Sequence, residues 1–504
     1  MLSRVTKTTS ILYVSQLVNL ISQAILPPLF LGTYGAELYG NWITLSAGVA
    51  WLGSLDLGLQ TYVANRLTLE YAKGDIQSFR LTQSVLLRVS LGVATLALLL
   101  SATLAFTLPL GKLLGLKLPA TEAAVTTLLL AAQILIGTIW GQLNATFRAV
   151  LLTHRGAVWG TFQGCLMLAT TSILVSIHSP LWAIASGQLF SYLVASVASI
   201  VDLRRSVPSA SPTLALWNPQ RARESIMPSL LFGSFTVSNF LAFQVPILAL
   251  ANVCGPTAAV GFSLARTYCG VIRQVLGPVR NSMRPELARL SATRSSIRLQ
   301  SVYSAFASIS MAVGVVATSL MLIGAIRFVP WWTGRGDVFD SATYLAMAVA
   351  TLMVVAKDTE LELPFSTNQH RDAALICLLG YASAALVFPV GARLAGPPGV
   401  IGVWAICELS QTLLISRSNS KQGLQVAPSQ SARALTLGTI CLALAYFLTL
   451  RLETASTWVY IATMATAGTF IMIAAAATFG LRSHLQTMIG IVSAAKSPTG
   501  PANS

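Results

Sequence analysis

The chain is a succession of apolar runs separated by short polar stretches that hold most of its charges. A helix needs ~20 mostly apolar residues to cross ~30 Å of hydrocarbon. That window predicts fourteen spans, near 10–31, 40–62, 83–108, 125–150, 157–178, 181–201, 226–250, 257–280, 302–326, 341–362, 373–392, 398–416, 433–450 and 457–480. Lipid offers no partners for backbone N–H and C=O groups, so helices are the expected secondary structure. The longest loop, about 202–225, carries SVPSASPTLALWNP and reads as a linker. The tail after 483, ending AAKSPTGPANS, reads as a disordered extension. The N-terminal run is long enough to span and lacks a cleavage pattern, so it reads as a span and not a signal peptide.

Composition narrows the class further. The 504 residues are 54% hydrophobic and only 10% charged, with a mean hydropathy of +0.70. A soluble surface normally needs about 25% charged residues. A large soluble enzyme on a single anchor is excluded, because the apolar letters run from end to end. The expectation is an all-α polytopic membrane protein.

The net charge of +16 has its simplest explanation in basic inner loops, not in nucleic acid. With the N-terminus inside, inner segments hold 22 of the 32 Lys and Arg, outer segments hold 6, and Arg88, Arg266, Arg273 and Lys357 lie within spans. One missed span would scramble that alternation, so the split supports the helix count and predicts two cytoplasmic termini. Cys165, Cys254, Cys269, Cys377, Cys407 and Cys441 lack metal or CxxC spacing and read as small core residues.

An internal repeat is visible. Gly35 in LGTYGAELYGNW matches Gly255 in LANVCGPTAAVGF, 220 positions on, and Ala72 matches Ala292 at the same offset. His154-Arg155 answers His370-Arg371, and Trp182-Ala183-Ile184 answers Trp404-Ala405-Ile406. An even number of helices separates equivalent points, so the halves share one orientation. The predicted organisation is an N-terminal lobe over 1–203, a cytoplasmic linker over 204–225, and a C-terminal lobe over 226–417. Helices 13–14 follow over 418–482, then a cytoplasmic tail over 483–504. Two lobes around a central cavity imply a transporter.

Ionisable groups inside spans are expensive and usually face a polar cavity or a partner. In helix 8, Arg266, Arg273 and Arg280 recur every seven residues, with Arg284 four further on. The three line one face over ~21 Å, drifting ~20° per heptad. Arg280 and Arg284 equally suit a positive inner edge. Arg88 in helix 3 and Arg148 at the end of helix 4 would add charge from the first lobe, or snorkel. Asp56 and Glu408 are the best-buried acids, read either as structural partners of arginines or as proton- or cation-coupling carboxylates. Lys357, Asp358, Glu360 and Glu362 read as interfacial pairs, with Lys357 and Asp358 near the cavity.

Nucleotide and metal motifs are absent: no GxxxxGK[ST], no HExxH and no His/Cys cluster. No cofactor and no enzymatic activity are expected. A membrane-embedded polysaccharide polymerase or ligase would need catalytic groups at one face, and the short outer loops leave little room for them.

Two segments, LGTYGAELYGNWITLSAGVAWLGSLDLGLQTYVANRLTLEYAKGD (31–75) and LARTYCGVIRQVLGPVRNSMRPELARLSA (264–292), carry a family resemblance. Over roughly 5–420 the chain resembles the polysaccharide-transport, or lipid-linked oligosaccharide flippase, family of the multidrug/oligosaccharidyl-lipid/polysaccharide exporter superfamily. The resemblance implies movement of undecaprenyl-pyrophosphate-linked repeat units across the bacterial inner membrane, by alternating access, for exopolysaccharide, O-antigen or capsule synthesis. The implied partners are the lipid-linked oligosaccharide, membrane lipids, and the polymerase and chain-length machinery. It also implies that arginines hold the pyrophosphate, which assigns that role to Arg266 and Arg273 first, with Arg280, Arg88 and Arg148 as further candidates. Helix 1 has no charged residue between Lys7 and Glu37, a departure that argues against a peptidoglycan precursor. The alternative within the same fold is a cation-coupled multidrug exporter; such exporters favour acids in the cavity, whereas helix 8 favours bases.

Overall fold

A computed structural model describes residues 2–56, 59–292, 296–367, 369, 371–421, 428–452 and 456–480. Arg294, His370 and the expected tail over 483–504 lie outside the described residues. The described chain is all-α, with no strand among the described residues. It forms two compact units, Met1–Val260 and Gly261–Ser504.

Every predicted span is helical over its described residues. Among the described residues, ten helices are long and apolar enough to cross a membrane. Two of these each hold two predicted spans, because helix continues across a kink. The first is α1 (Leu2–Val49), broken at Gly35 and extended by a 3-10 turn at Ala50–Asp56. The second, α13 (Arg371–Lys421), breaks at Ala395–Gly396. The predicted spans at 257–280 and 433–450 fall on α10 (Pro256–Ala292), whose arginines lower its hydropathy, and on α14 (Pro428–Leu452).

In unit 1, α1 is followed by α2 (Leu59–Ala72), α3 (Ile76–Thr107), the short α4 (Leu110–Leu114) and α5 (Ala120–Ala149). Next come α6 (Thr153–Ser176), α7 (Leu181–Ser206), α8 (Pro219–Phe243) and α9 (Val245–Cys254). Helix α5 is the hub, packing on α2, α3 and α7, while α6 packs on α1 and α7. The seventh span, α8 with α9, packs on α1, α2 and α3 inside this unit. The 204–225 segment is tied down there: Gln83 Nε2 donates to Ala210 C=O at 3.2 Å, and Ser84 Oγ donates to Leu216 C=O at 2.7 Å. Glu70, 6% exposed, gathers Arg66, Thr82 and Arg221 on one carboxylate oxygen at 2.8–3.0 Å. This joins α2, α3 and α8 through side chains gathered on one buried carboxylate.

In unit 2, α10 leads to α11 (Ser296–Thr333), α12 (Ser341–Ser366), α13, α14 and α15 (Thr457–Phe479). Helix α12 is central: every residue from Ala350 to Pro364 is buried, and it packs on α11, α13 and α14. Helices α14 and α15 pack on α11, with Tyr460 Oη donating to Ile323 C=O at 3.2 Å. In the α11–α12 loop, Arg335 grips Asp337 with two N–H···O bonds of 3.0 and 2.8 Å, holding that carboxyl below its ordinary pKa.

The two units share a core pattern. Leu67, Phe79 and Leu86 are fully buried together in unit 1. Leu287, Leu299 and Phe306, each 220 positions later, are buried together in unit 2. That is the offset of the Gly35/Gly255 match, so the sequence repeat is also a packing repeat.

Candidate functional site

Four charged residues fall within the all-round buried part of α12: Lys357, Asp358, Glu360 and Glu362, which are 5%, 9%, 4% and 2% exposed. A charge removed from water must be paired and hydrogen-bonded. The partners come from α10, α11 and α13.

On the α10 side, Asp358 Oδ2 accepts from Arg273 Nε at 3.2 Å and from Arg280 Nη1 at 2.5 Å. One turn along α12, Glu362 takes Arg284 in a two-bond fork of 2.6 and 2.9 Å, with Arg280 Nε 3.9 Å from its Oε1. The Arg284 guanidinium also lies 5.2 Å over the Phe365 ring. Arg266, two turns before Arg273, sits 5.6 Å over the ring of Phe262. The arginine face predicted for helix 8 therefore exists, and it meets an acidic face on α12. The match follows from helical geometry: Asp358 and Glu362 are spaced four apart, as are Arg280 and Arg284, so the two pairs stay in register along facing helices.

On the α13 side, Lys357 Nζ lies 2.7 Å from Glu408 Oε2, and Glu408 is fully buried. The other oxygen of Glu408 accepts from Tyr381 Oη and from Trp404 Nε1, the latter at 2.8 Å. Lys357 also donates to Tyr381 Oη, closing a Lys-Tyr-Glu triangle. Glu360 receives Asn419 Nδ2 at 3.3 Å, and Tyr303 Oη reaches it at 3.5 Å.

Of the residues singled out by sequence, Arg273, Arg280 and Glu408 thus belong to one buried network, with Arg266 at its α10 end. Glu408 pairs with a lysine, not with the arginine that sequence suggested. The α12 charges are core residues, not interfacial ones; only packing reveals this, although their four-residue spacing was the available clue. The remaining three lie in unit 1. Arg88 stands 5.9 Å over the Trp217 ring. Asp56 Oδ2 accepts from the Gln60 backbone N–H at 3.3 Å and has no ion-pair partner among the described residues. Arg148 is exposed at the end of α5 and lines a cavity of about 590 Å³ inside unit 1. Sequence reading missed Tyr381 and Trp404 as ligands of Glu408, because hydroxyl and indole groups give no hydropathy signal.

What the network can do chemically follows from its parts. A guanidinium carries five N–H donors in a planar fork suited to phosphate oxygens. Holding Arg273 through Nε orients that fork on a rigid element. The Lys357–Glu408 pair, fully desolvated, is a strong structural tie and a costly one to break.

Comparison with solved structures gives the fold. A lipid II flippase, MurJ, in an inward-closed conformation, is 11% identical and covers 94% of this chain and 98% of its own, with a TM-score of 0.69. An inward-facing multidrug resistance MATE family transporter of the MOP superfamily is 13% identical, covers 88% of this chain and 96% of its own, and has a TM-score of 0.63. The bent form of the Vibrio cholerae MATE transporter VcmN is 14% identical and covers 88% and 100%, at a TM-score of 0.55. No protein-family model and no curated protein matches the chain. The chain shares its fold with these solved proteins, a lipid II flippase and MATE transporters.

Proposed function

We propose that this protein is a flippase that carries undecaprenyl-pyrophosphate-linked oligosaccharide repeat units across the bacterial inner membrane, for polysaccharide biosynthesis, by alternating access. In this reading 1–203 and 226–417 form the two lobes, 204–225 is the linker, and both termini are cytoplasmic. The polymerase and chain-length machinery would take over the product outside.

The observation that carries the proposal is the arginine face of α10, with Arg273 and Arg280 anchored on Asp358. A pyrophosphate bears about two negative charges and cannot enter hydrocarbon unaided, and arginine forks match its oxygens. The sugar headgroup needs a wet path, while the polyprenyl tail can stay in lipid. Overlap with a lipid II flippase along nearly its whole length supports a lipid-linked substrate. The uncharged first helix between Lys7 and Glu37 favours a glycan carrier other than the peptidoglycan precursor.

The test is transport of an undecaprenyl-pyrophosphate oligosaccharide into proteoliposomes, together with complementation of a deletion strain. Arg273→Ala should abolish transport with normal membrane levels. Arg273→Lys should retain part of it, because an ammonium keeps the charge but loses the fork. Arg289→Ala, at an exposed position, should have no effect. Full complementation by both Arg266→Ala and Arg273→Ala would remove the pyrophosphate clamp. The second reading, a cation-coupled multidrug exporter, is favoured by the MATE transporters of the same fold and by the buried acid Glu408. Drug efflux abolished by Glu408→Gln, with no oligosaccharide movement, would select it.

A further inference from the structure

The cavity in unit 1 is independent of the α10–α12 network. It opens between the 3-10 turn, α2, α5, α6 and α7, and at about 590 Å³ it is the size of a small-molecule site. Its main wall is one face of α5, where Gln133, Trp140, Asn144 and Arg148 follow each other at helical spacing over ~22 Å. Gln60 and Tyr192 face them from α2 and α7.

Three features define what would fit. Gln133 Oε1 and Asn144 Oδ1 are buried without a hydrogen-bond partner, so these two acceptors lack the donors that a hydroxylated ligand would supply. Trp140 is fixed by its Nε1–H donating to Ser199 Oγ at 3.1 Å, and it meets Tyr192 edge-on at 6.0 Å. Its position offers an aromatic surface to the apolar face of a sugar ring. Arg148 closes one end and has no carboxylate within ion-pair distance among the described residues.

Glycines keep the space open. A Cβ at Gly141 would stand 2.2 Å from Gln60 Oε1, and one at Gly156 would stand 2.8 Å from Asn144 Oδ1. At Gly137 it would press on the Tyr192 ring at 3.2 Å. Any side chain at these positions would drive the amides or the phenol into the cavity.

We propose that this cavity binds an acidic pyranose, a hexuronic acid unit, with its hydroxyls donating to Gln133 and Asn144, its ring against Trp140 and its carboxylate on Arg148. The source of that unit, the glycan headgroup of the transported lipid, rests on the flippase reading. The binding chemistry does not. A phosphate would satisfy Arg148 but supply no ring and few donors. A neutral hexose would leave Arg148 unmatched.

The probe is sodium glucuronate, titrated against the full-length protein in nanodiscs by saturation-transfer difference NMR, with glucose, acetate and inorganic phosphate alongside. A ligand of about 13 heavy atoms at ordinary efficiency binds near 1 mM. Glucuronate should bind in that range with transfer to its ring protons, and at least tenfold more tightly than glucose or acetate. Arg148→Gln should reduce glucuronate to the level of glucose, and Gly141→Leu should remove both. Lys73→Gln, at an exposed turn position, should change neither. A size-exclusion profile identical to the parent's shows that each variant is folded. No saturable transfer from glucuronate, or equal affinity in the parent and Arg148→Gln, overturns the site. Equal affinity for glucuronate and acetate or phosphate reduces it to simple anion binding and also overturns it. Arg273→Ala lies in unit 2 and should leave glucuronate binding intact, so loss of the flippase reading and loss of this site are separately visible.

Discussion

Gly35 and Gly255, 220 residues apart, hold the same backbone conformation, φ 71° with ψ 178° and φ 91° with ψ 167°. This region is essentially closed to residues with a Cβ. Each glycine ends one helical run, and a new run starts immediately after it. The positions were already matched by sequence, so the repeat extends from letters to backbone angles. The same break recurs because each repeat must turn its first span into its second within one or two residues.

Replacing either glycine with alanine should therefore destabilise the protein by about 1–3 kcal/mol, the usual cost of a residue held in such a region. At Gly255 no atom lies within 4 Å of the added Cβ, so the loss there would be conformational and not steric. Thermal unfolding in detergent, read by tryptophan fluorescence, checks it. A D-alanine at the same position, introduced by semisynthesis, should restore the midpoint.

The pairing of α10 with α12 makes the carboxylates less dispensable than the arginines. Asp358→Ala leaves Arg273 and Arg280 to face a desolvated helix, and a loss of about 3–5 kcal/mol is expected. Arg284→Ala should cost less, because that side chain is 42% exposed and the buried Glu362 keeps Arg280 as a neighbouring cation at 3.9 Å. Comparing the melting midpoints of the two variants tests the order; equal effects would contradict it.

Lys357 and Glu408 are coupled and should behave as a unit. Lys357→Met strands a fully buried carboxylate and should abolish accumulation in the membrane. Adding Glu408→Gln should rescue accumulation, since the amide can still accept from Tyr381 and Trp404. A double-mutant cycle on expression level and melting midpoint measures the coupling. Additive losses would show that the pair is not a pair.

The charge split between loops predicts a topology that reporters can read. Fusions after residue 333 should be external, and those at residue 212 internal. An external reporter at 212 would reverse the proposed orientation, in which the positive inner loops hold the chain.

Much of this architecture was legible from the chain alone. Apolar runs of ~20 residues specify helices because lipid forces backbone hydrogen bonding within the segment, a purely local requirement. The fourteen runs, the breaks at Gly35 and Gly255, the arginine face of α10 and the repeat all follow from letters and their spacing. Even the fusion of two spans in α13 differs from expectation only at a kink. What tertiary structure alone decided is which helix meets which. The arginines of α10 find Asp358 and Glu362, 78 to 85 positions along the chain, and Glu408 finds Lys357 rather than an arginine. Partner choice depends on burial of whole faces and on helix rotation, and neither leaves a mark in local hydropathy. The cavity beside Arg148 is also a product of packing, since its space is set by glycines on α5 and α6 opposite side chains from other helices.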